Sequence, residues 1–249
     1  MPANCDGCGK KMTVEHALQC KVGGLVHMRH DDVADEFRHL CGCALSFGKV
    51  EREPRIFSSV TTQSTSAAPP AVPTTPPNTT ITPQNGQQQG QQPVEDPVRS
   101  GERGDASCHG FWKRGREAIF DVRITDTECR SNRNKCYKKV LASQEKEKKD
   151  KYLASCHEMR KDFTPLVYSV DGIAGREARA AEKRLAQYLS KKWRRTYSEM
   201  VFYVKVRMAL SVVRANSLLI RGSRVRQKPR RPLISDRASM MDWSSRTEW

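Results

Sequence analysis

An acid in the middle of an apolar segment, followed by a helix with charges on its packing face, constrains this chain most. Residues 118–124 are apolar except for Asp121 and Arg123, a pattern typical of a buried strand. Residues 139–161 have helical periodicity, and one face of that helix carries Leu141, Glu145, Lys148, Tyr152, Cys156 and Met159. An unpaired carboxylate is costly to bury in such a strand. The pattern therefore predicts an α/β domain with a polar site built into it.

The neighbouring segments complete this domain over residues 99–222. Residues 110–112 and 118–124 are predicted to form a hairpin, joined by a basic turn with Lys113, Arg114 and Arg116. Residues 163–170 read as a further apolar strand. Helices are expected at 173–194 and 198–220, and the second should be the most buried because it is apolar around most of its circumference. The expected fold class is α/β, with a small mixed sheet flanked by helices.

The N-terminal residues 1–50 contain a cysteine and histidine pattern that is typical of a structural zinc site. Its four candidate ligands are Cys5, Cys8, His16 and Cys20. Zinc binds four such ligands in a tetrahedron, and two close pairs joined by a short loop can supply them. His16 and Cys20 would share one face of a helical turn. The alternative is a pair of buried thiols with an unrelated histidine.

A short helix is expected after this zinc knuckle. Asp31 or Asp32 could cap it, and its apolar stripe would be Val33, Phe37 and Leu40. Arg29 and His30, which precede that cap, could contact phosphate, or they could belong to a capping and packing turn. Cys41 and Cys43 are one residue apart, which is poor spacing for a second zinc site, so they are interpreted as buried or free thiols.

Residues 51–98 change in character. Ser, Thr, Pro, Ala and then Gln dominate from about residue 54, which predicts a long disordered linker that lets the modules on either side move independently. Residues 223–249 are basic, contain Pro and Ser, and are expected to form a disordered tail.

The charge distribution favours a nucleic-acid partner. Residues 101–249 hold 35 basic and 18 acidic side chains, whereas residues 1–50 hold 6 of each, so the excess lies in the C-terminal part. A positive field of that kind favours a polyanion. The start of the chain has no apolar core, and the nine cysteines are an odd number, so we expect a reducing, intracellular location, in the nucleus. Residues 198–220 carry three basic residues and are not expected to cross a membrane.

The residue types allow phosphodiester hydrolysis. That reaction needs a metal to neutralise the phosphate and activate water, and two carboxylates can hold Mg²⁺. Asp105 and Asp121 would supply them if their strands are neighbours, while Lys148 could position the water or offset charge, and Tyr152 could orient Lys148 or contact phosphate. The alternatives are a turn aspartate, an outward-facing strand aspartate and a lysine that reaches to solvent.

These motifs, in this order, resemble a known family. They are the four zinc-type ligands, an Arg-x-Asp that ends at Asp105, the strand with Asp121, the helical pair Lys148 and Tyr152, and a strand that starts at Phe163. Together, over roughly residues 5–45 and 101–220, they look like the zinc knuckle and restriction-like endonuclease of site-specific non-LTR retrotransposons, a domain similar to the PD-(D/E)xK nucleases. Gly104 stands where the family has proline, and Arg123 where many nucleases have lysine, which leaves Lys148 as the lysine candidate. No Tyr-x-Asp-Asp polymerase motif occurs.

The resemblance implies a restriction-endonuclease-like core that nicks target DNA and leaves a 3′-OH to prime reverse transcription. It implies structural zinc, and magnesium (or manganese) held by Asp105 and Asp121, with Lys148 and Tyr152 completing the site. The residues expected to contact nucleic acid are Arg29, His30, Arg103, Lys113, Arg114, Arg116 and Arg123. Expected partners are DNA, element RNA and a reverse transcriptase from a longer element, with no membrane and no small-molecule cofactor. The alternatives are a non-catalytic nucleic-acid-binding remnant and a purely structural interaction protein.

Overall fold

The computed structural model describes residues 2–57 and 102–225. The helices are α1 (Val14–Gln19), α2 (Leu25–Ala44), α3 (Tyr137–Glu158), α4 (Arg176–Trp193) and α5 (Tyr197–Arg221). The strands are β1 (Val50–Arg52), β2 (Ala106–His109), β3 (Glu117–Thr125) and β4 (Asp162–Ser169). This is a mixed α/β fold, as the sequence predicts, and each of the long helices and strands expected after residue 117 lies within a few residues of its predicted position.

The sheet is small and mixed, with the strand order β1-β2-β3-β4. β1 pairs with β2, and β2 with β3, in antiparallel fashion, whereas β3 and β4 are parallel. A parallel pair needs a crossover, and α3 supplies it.

The predicted hairpin forms, but its first strand lies earlier than expected. Ala106–His109 pairs with β3, whereas residues 110–112 belong to the connection. Phe111 is fully buried, and its ring lies 4.9 Å from that of Phe120. Residues 110–112 are apolar because the connection folds back over the core, not because they pair with a neighbouring strand.

The two faces of the sheet pack against different helices. Ala118, Phe120 and Val122 point into the main core with α2, α4 and α5. Ile119 points the other way, into a smaller cluster with Tyr152 and other residues beneath α3. Because side chains alternate along a strand, Asp121 lies on the same side as Ile119, facing α3.

Helix α2 is part of this core and not of a separately moving module. Val33, Phe37 and Leu40 are fully buried, which confirms the predicted stripe, and the Phe37 ring lies 4.8 Å from that of Phe120. The helix begins earlier than predicted, after Gly24, whose φ of 75° ends the preceding turn. Asp31 and Asp32 therefore lie inside the helix and do not cap it.

The first residues assigned to the linker also belong to the fold. Val50–Arg52 pairs with Ala106–His109 as an edge strand, and Ile56 is fully buried against the α3 side of the sheet. The linker boundary at residue 51 was therefore wrong, since β1 extends to Arg52 and the residues up to 57 still pack against the domain. The predicted linker beyond residue 57 and the predicted tail beyond residue 225 lie outside the described residues.

Helix α5 is less enclosed than its composition predicts. Met200, Val204, Met208 and Val212 are buried against the rest of the core, but the side chain of Phe202 on the opposite side is 71% exposed. The expectation that α5 would be the most buried helix was wrong in this respect. Among the described residues, no helix is long and apolar enough to cross a membrane.

One of the two charges on the packing face of α3 has a structural role. Glu145 is buried, and its Oε1 accepts a hydrogen bond of 2.9 Å from the backbone N–H of Glu177, in the first turn of α4. Gly175 lies so close to this carboxylate that a Cβ there would clash with it. The first N–H groups of a helix have no partner within it. Glu145, on the neighbouring helix, thus supplies a hydrogen-bond acceptor for the first turn of α4.

Candidate functional site

The four predicted zinc ligands converge. The donor atoms of Cys5, Cys8, His16 and Cys20 all lie within 4.8 Å of one another. The Sγ atom of Cys20 lies 3.9 Å from those of Cys5 and Cys8, and Cys8 Sγ lies 3.2 Å from His16 Nε2. Neighbouring sulfurs in a tetrahedron with metal–sulfur bonds of about 2.3 Å lie about 3.8 Å apart. The cluster could therefore hold a zinc ion with little movement.

Local structure places these ligands. Thr13 caps α1 by accepting a hydrogen bond of 3.1 Å from the backbone N–H of His16, and the N–H of Cys20 bonds to the carbonyl of His16. The expected helical turn between His16 and Cys20 is therefore present. Gly9 has a φ of 73°, a left-handed conformation that lets the turn after Cys8 bend back.

The electrostatics of the cluster suit a metal that binds thiolates. Burial opposes ionisation of Cys5, but hydrogen bonds from the backbone of Cys8 and Gly7 and from His16 outweigh it and lower the pKa of Cys5 to about 6. Burial raises the pKa of Cys20, and the neighbouring sulfurs add to the rise. A cation among the sulfurs would remove the mutual repulsion of several thiolates, because metal binding favours the deprotonated form.

The zinc-type cluster is anchored by a residue that the sequence pattern did not indicate. Arg224 is 2% exposed, and its Nη2 donates to the carbonyls of Ala17, at 2.9 Å, and Leu219, at 2.6 Å. The carboxylate of Asp6 accepts from the backbone N–H of Arg224 at 2.9 Å and from the Ser223 hydroxyl at 2.6 Å. The residues after α5 therefore fasten α1 and the cluster to the C-terminal end of that helix.

Asp105 directly precedes β2 and lies close to Asp121 on β3. The register of the two strands begins with Ala106 opposite Phe120. The backbone N–H of Asp105 donates to the carbonyl of Phe120 at 2.9 Å, and that of Val122 donates to Asp105 Oδ2 at 2.6 Å. The negative charge of Asp105 acts on the Asp121 carboxyl. The two predicted acids are thus brought together.

Lys148 reaches this pair from α3. Its Nζ lies 2.6 Å from Asp121 Oδ2, and the Asp121 side chain is 6% exposed. The contact is a close ion pair between the Lys148 ammonium and a buried carboxylate oxygen. The two charges thus compensate each other where water has little access.

Burial raises the pKa of the Asp121 carboxyl above its ordinary value. The positive charge of Lys148 opposes the rise, and the negative charge of Asp105 adds to it. Burial and a neighbouring like charge both disfavour the ionised form of an acid. The pair of carboxylates, Asp105 and Asp121, therefore still favours additional positive charge near Asp121.

A histidine from α2 lies beside Asp105, and the four residues His30, Asp105, Asp121 and Lys148 are together called the acidic centre. His30 Nε2 lies 3.0 Å from Asp105 Oδ2, and His30 Nδ1 lies 3.2 Å from Asp31 Oδ1. The hydrogen bond to Asp105 outweighs the effect of burial, and it raises the pKa of His30 to about 9. The sequence indicated His30 only as a possible phosphate contact, because nothing local in it shows that α2 crosses the end of β2.

Tyr152 lies under the lysines of α3. Its ring packs against Phe163 with centroids 5.5 Å apart, and Lys148 Nζ lies 5.7 Å from the ring centroid. Lys151 Nζ is closer, at 4.5 Å. Because the side chain is largely buried, its position suits orienting these lysines more than contacting a ligand.

Position 104 has a steric requirement for glycine. A Cβ at this position would clash with the side chain of Ile119, and the N–H of Gly104 donates to the carbonyl of Pro54 at 3.1 Å. A proline would remove that donor. Glycine therefore lets Asp105 approach β3 closely.

The basic residues predicted to contact nucleic acid differ in burial and in their partners. Arg29 is buried, and its guanidinium donates to Asn216 Oδ1 at 3.0 Å, so the expectation that it contacts phosphate was wrong. Three other predicted arginines form ion pairs: Arg103 with Glu53, Arg116 with Asp162 and Arg123 with Glu147. Lys113 and Arg114 are exposed in the connection between β2 and β3.

The two centres differ in the number of ligands they offer. Over residues 2–57 and 102–225, the Cys5, Cys8, His16 and Cys20 cluster is the one group of three or more such side chains whose donor atoms lie close enough to share a metal. Asp105 and Asp121 offer two carboxylates beside a histidine and a lysine. The first centre suits zinc, and the second has the donor types of a hard cation that keeps several waters.

Comparison with protein-family models finds no match for this chain, and comparison with curated proteins finds none. The function proposed for the chain therefore depends on the geometry and chemistry of its own residues.

Proposed function

We propose that this protein is a divalent-metal-dependent endonuclease that nicks DNA, built on a restriction-endonuclease-like core. One observation carries the proposal: Asp105, at the start of β2, lies close to Asp121 on β3, and Lys148 reaches Asp121 from the crossover helix. Two neighbouring acids and a lysine are groups that metal-assisted phosphodiester hydrolysis can use.

The acidic centre fits Mg²⁺ in its donor chemistry. Magnesium prefers oxygen ligands and is commonly held by one or two carboxylates together with waters and phosphate oxygens. Within residues 2–57 and 102–225, the two hydrogen bonds to the Asp105 carboxylate both fall on Oδ2, so Oδ1 is the oxygen left for a cation. The raised pKa of Asp121 indicates that further positive charge beside it would be stabilising.

Each residue has a defined task in this scheme. Asp105 and Asp121 hold the cation, and a bound Mg²⁺ supplies charge neutralisation at the phosphate and a lower pKa for the attacking water. Lys148, which is a fifth exposed, offsets negative charge on the reacting phosphate or orients the water. Tyr152 and its neighbour Lys151 keep the amino groups of α3 over the sheet.

The order of motifs supports a more specific setting. It resembles the endonuclease region of site-specific non-LTR retrotransposons, in which a nick leaves a 3′-OH that primes reverse transcription. In that setting the partners would be nuclear target DNA, element RNA and a reverse transcriptase supplied by a longer element. The charge of residues 101–249, with 35 basic and 18 acidic side chains, is consistent with such polyanionic partners.

A second function has its own supporting observation. The close pair of Lys148 and Asp121 already compensates the buried carboxylate without a metal. Together with the zinc-type cluster, this fits a non-catalytic nucleic-acid-binding remnant that has kept its fold.

A nicking assay on supercoiled plasmid separates these functions. We expect the zinc-loaded protein to nick the plasmid with Mg²⁺ or Mn²⁺. The nicking rate of Asp121→Asn should be lower by on the order of 100-fold or more, because mutation of residues that only hydrogen-bond to metal ligands already lowers activity about 10–100-fold. Asp150→Asn, an exposed aspartate on the same helix as Lys148, is the matched control and should nick normally. DNA binding should persist in all three proteins and weaken with salt. Salt-sensitive binding without nicking under either metal would overturn the enzyme and support the binding function.

A further inference from the structure

We infer that His30 is a positioning residue of the acidic centre, which holds the Asp105 carboxylate so that one oxygen is presented to a divalent cation. The inference rests on the proposed nuclease function and extends it. It assigns part of the metal site to α2, the helix that follows the zinc-type cluster, and not to the sheet and α3 alone.

The hydrogen bonds to Asp105 define which oxygen is available. Oδ2 accepts one bond of 2.6 Å from the backbone N–H of Val122 and another of 3.0 Å from His30 Nε2. The first donor is part of β3 and cannot move without the sheet. The second comes from a different element, α2, so two elements together fix the carboxylate. Since both donors found in the described part of the chain bond to Oδ2, Oδ1 remains for a cation.

His30 is itself held in place. Its Nδ1 lies 3.2 Å from Asp31 Oδ1, so both ring nitrogens have carboxylate partners. The backbone of α2 is fixed by the fully buried Val33 and Phe37 one turn and two turns later. Sites of this kind depend on outer residues that lock the orientation of the ligands.

The His30–Asp105 contact is also accessible from solvent. The side chain of His30 is 34% exposed and that of Asp105 is 21% exposed. A cation can therefore reach the carboxylate that His30 orients, and that carboxylate is close enough to Asp121 for its charge to act on it.

The test is Mn²⁺ binding to the zinc-loaded protein, followed by paramagnetic resonance of the free ion. Positioning predicts that His30→Ala binds Mn²⁺ about 10–100-fold more weakly. His30→Gln should bind within a few-fold of the wild type, because its amide can still donate to Asp105. His27→Ala removes an exposed histidine one turn earlier on the same helix and should leave binding unchanged. The Mg²⁺ concentration for half-maximal nicking should shift in the same order.

The outcomes separate the inference from the function on which it rests. Equal Mn²⁺ binding by the wild type and His30→Ala would overturn the positioning role and leave the nuclease proposal standing. Tighter binding by both His30→Ala and His30→Gln would also overturn it, because His30 would then act only as a positive charge that repels the cation. A wild-type protein that binds no Mn²⁺ at all would overturn the proposed function, and the inference with it. Melting curves of each variant establish that it is folded.

Discussion

At the scale of single residues, Asp121 and Lys148 show why a charge can lie in the middle of an apolar strand. Asp121 is 5% exposed, and Lys148 Nζ lies 2.6 Å from its carboxylate. Neither side chain can easily exchange its partner for water, because the sheet covers Asp121 and α3 holds Lys148 in place. Removing one partner of such a pair usually costs more than the pair contributes, because the remaining charge stays buried.

We expect Lys148→Met to lower the free energy of unfolding by about 2 kcal/mol at neutral pH without Mg²⁺. This is below the roughly 3–5 kcal/mol of fully buried pairs because Lys148 is a fifth exposed. The double variant with Asp121→Asn should recover most of the loss, since no unpaired charge then remains. Urea unfolding of both proteins measures the difference. Equal stability of Lys148→Met and the wild type would show that water already solvates the Asp121 carboxylate.

The local pattern is sufficient to find Asp121 and Lys148 but not His30 or Arg224. A charge at a buried position of a strand or helix is visible from periodicity alone. His30 meets Asp105 across 75 residues, and Arg224 meets Ala17 across 207. Contacts of this kind depend on how helices cross the sheet, which no short sequence window contains. The same limit explains why Arg29 was expected at phosphate although it is buried against Asn216.

At the scale of elements, periodicity locates long segments well and short ones poorly. Helices α3, α4 and α5 and strands β3 and β4 have enough residues to show a repeat. β1 has three residues and β2 has four, too few to separate a strand from an apolar connection. β1 and β2 are strands because they pair with each other, and this pairing depends on the whole sheet and not on the local sequence.

The contact between β4 and α4 gives a prediction about pH. Glu182 on α4 is 4% exposed and accepts a hydrogen bond of 3.1 Å from the hydroxyl of Tyr168 on β4. Burial raises the pKa of Glu182, so the folded protein keeps this proton to a higher pH than the unfolded chain does. Its contribution to stability is therefore complete at acidic pH and is lost as the pH rises.

We accordingly expect the unfolding free energy of the wild type, relative to Glu182→Gln, to fall as the pH rises above about 4, the ordinary range of a glutamate pKa. Glutamine keeps an acceptor for Tyr168 but cannot ionise. The measurement is urea unfolding of both proteins at several pH values, with Glu147→Gln as a variant that removes an exposed carboxylate on α3. A difference between wild type and Glu182→Gln that stays constant with pH would contradict the raised pKa.

At the scale of the whole molecule, the N-terminal residues and the domain around the sheet form one connected structure. A long low-complexity segment usually separates independent modules, so the sequence favoured two bodies. Instead, α2 supplies Phe37 to the main core and His30 to the acidic centre, and the residues after α5 return to α1 through Arg224. The zinc-type cluster is thus positioned to influence the end of α5 and the start of α2 together.

Zinc removal tests this connection. The cluster has few buried residues of its own, Cys5, Met12, Ala17 and Cys20, and we expect so small a unit to need a bound zinc ion to stay folded. With a chelator, we expect amide exchange to become fast over residues 3–20 and also over 218–225, because Arg224 loses the carbonyl of Ala17. Strands β3 and β4 should stay protected, since their core lies elsewhere. Exchange followed by mass spectrometry measures all of these segments at once. Fast exchange confined to residues 3–20 would show that Arg224 does not couple the cluster to α5, and unchanged exchange in both segments would show that the cluster needs no metal.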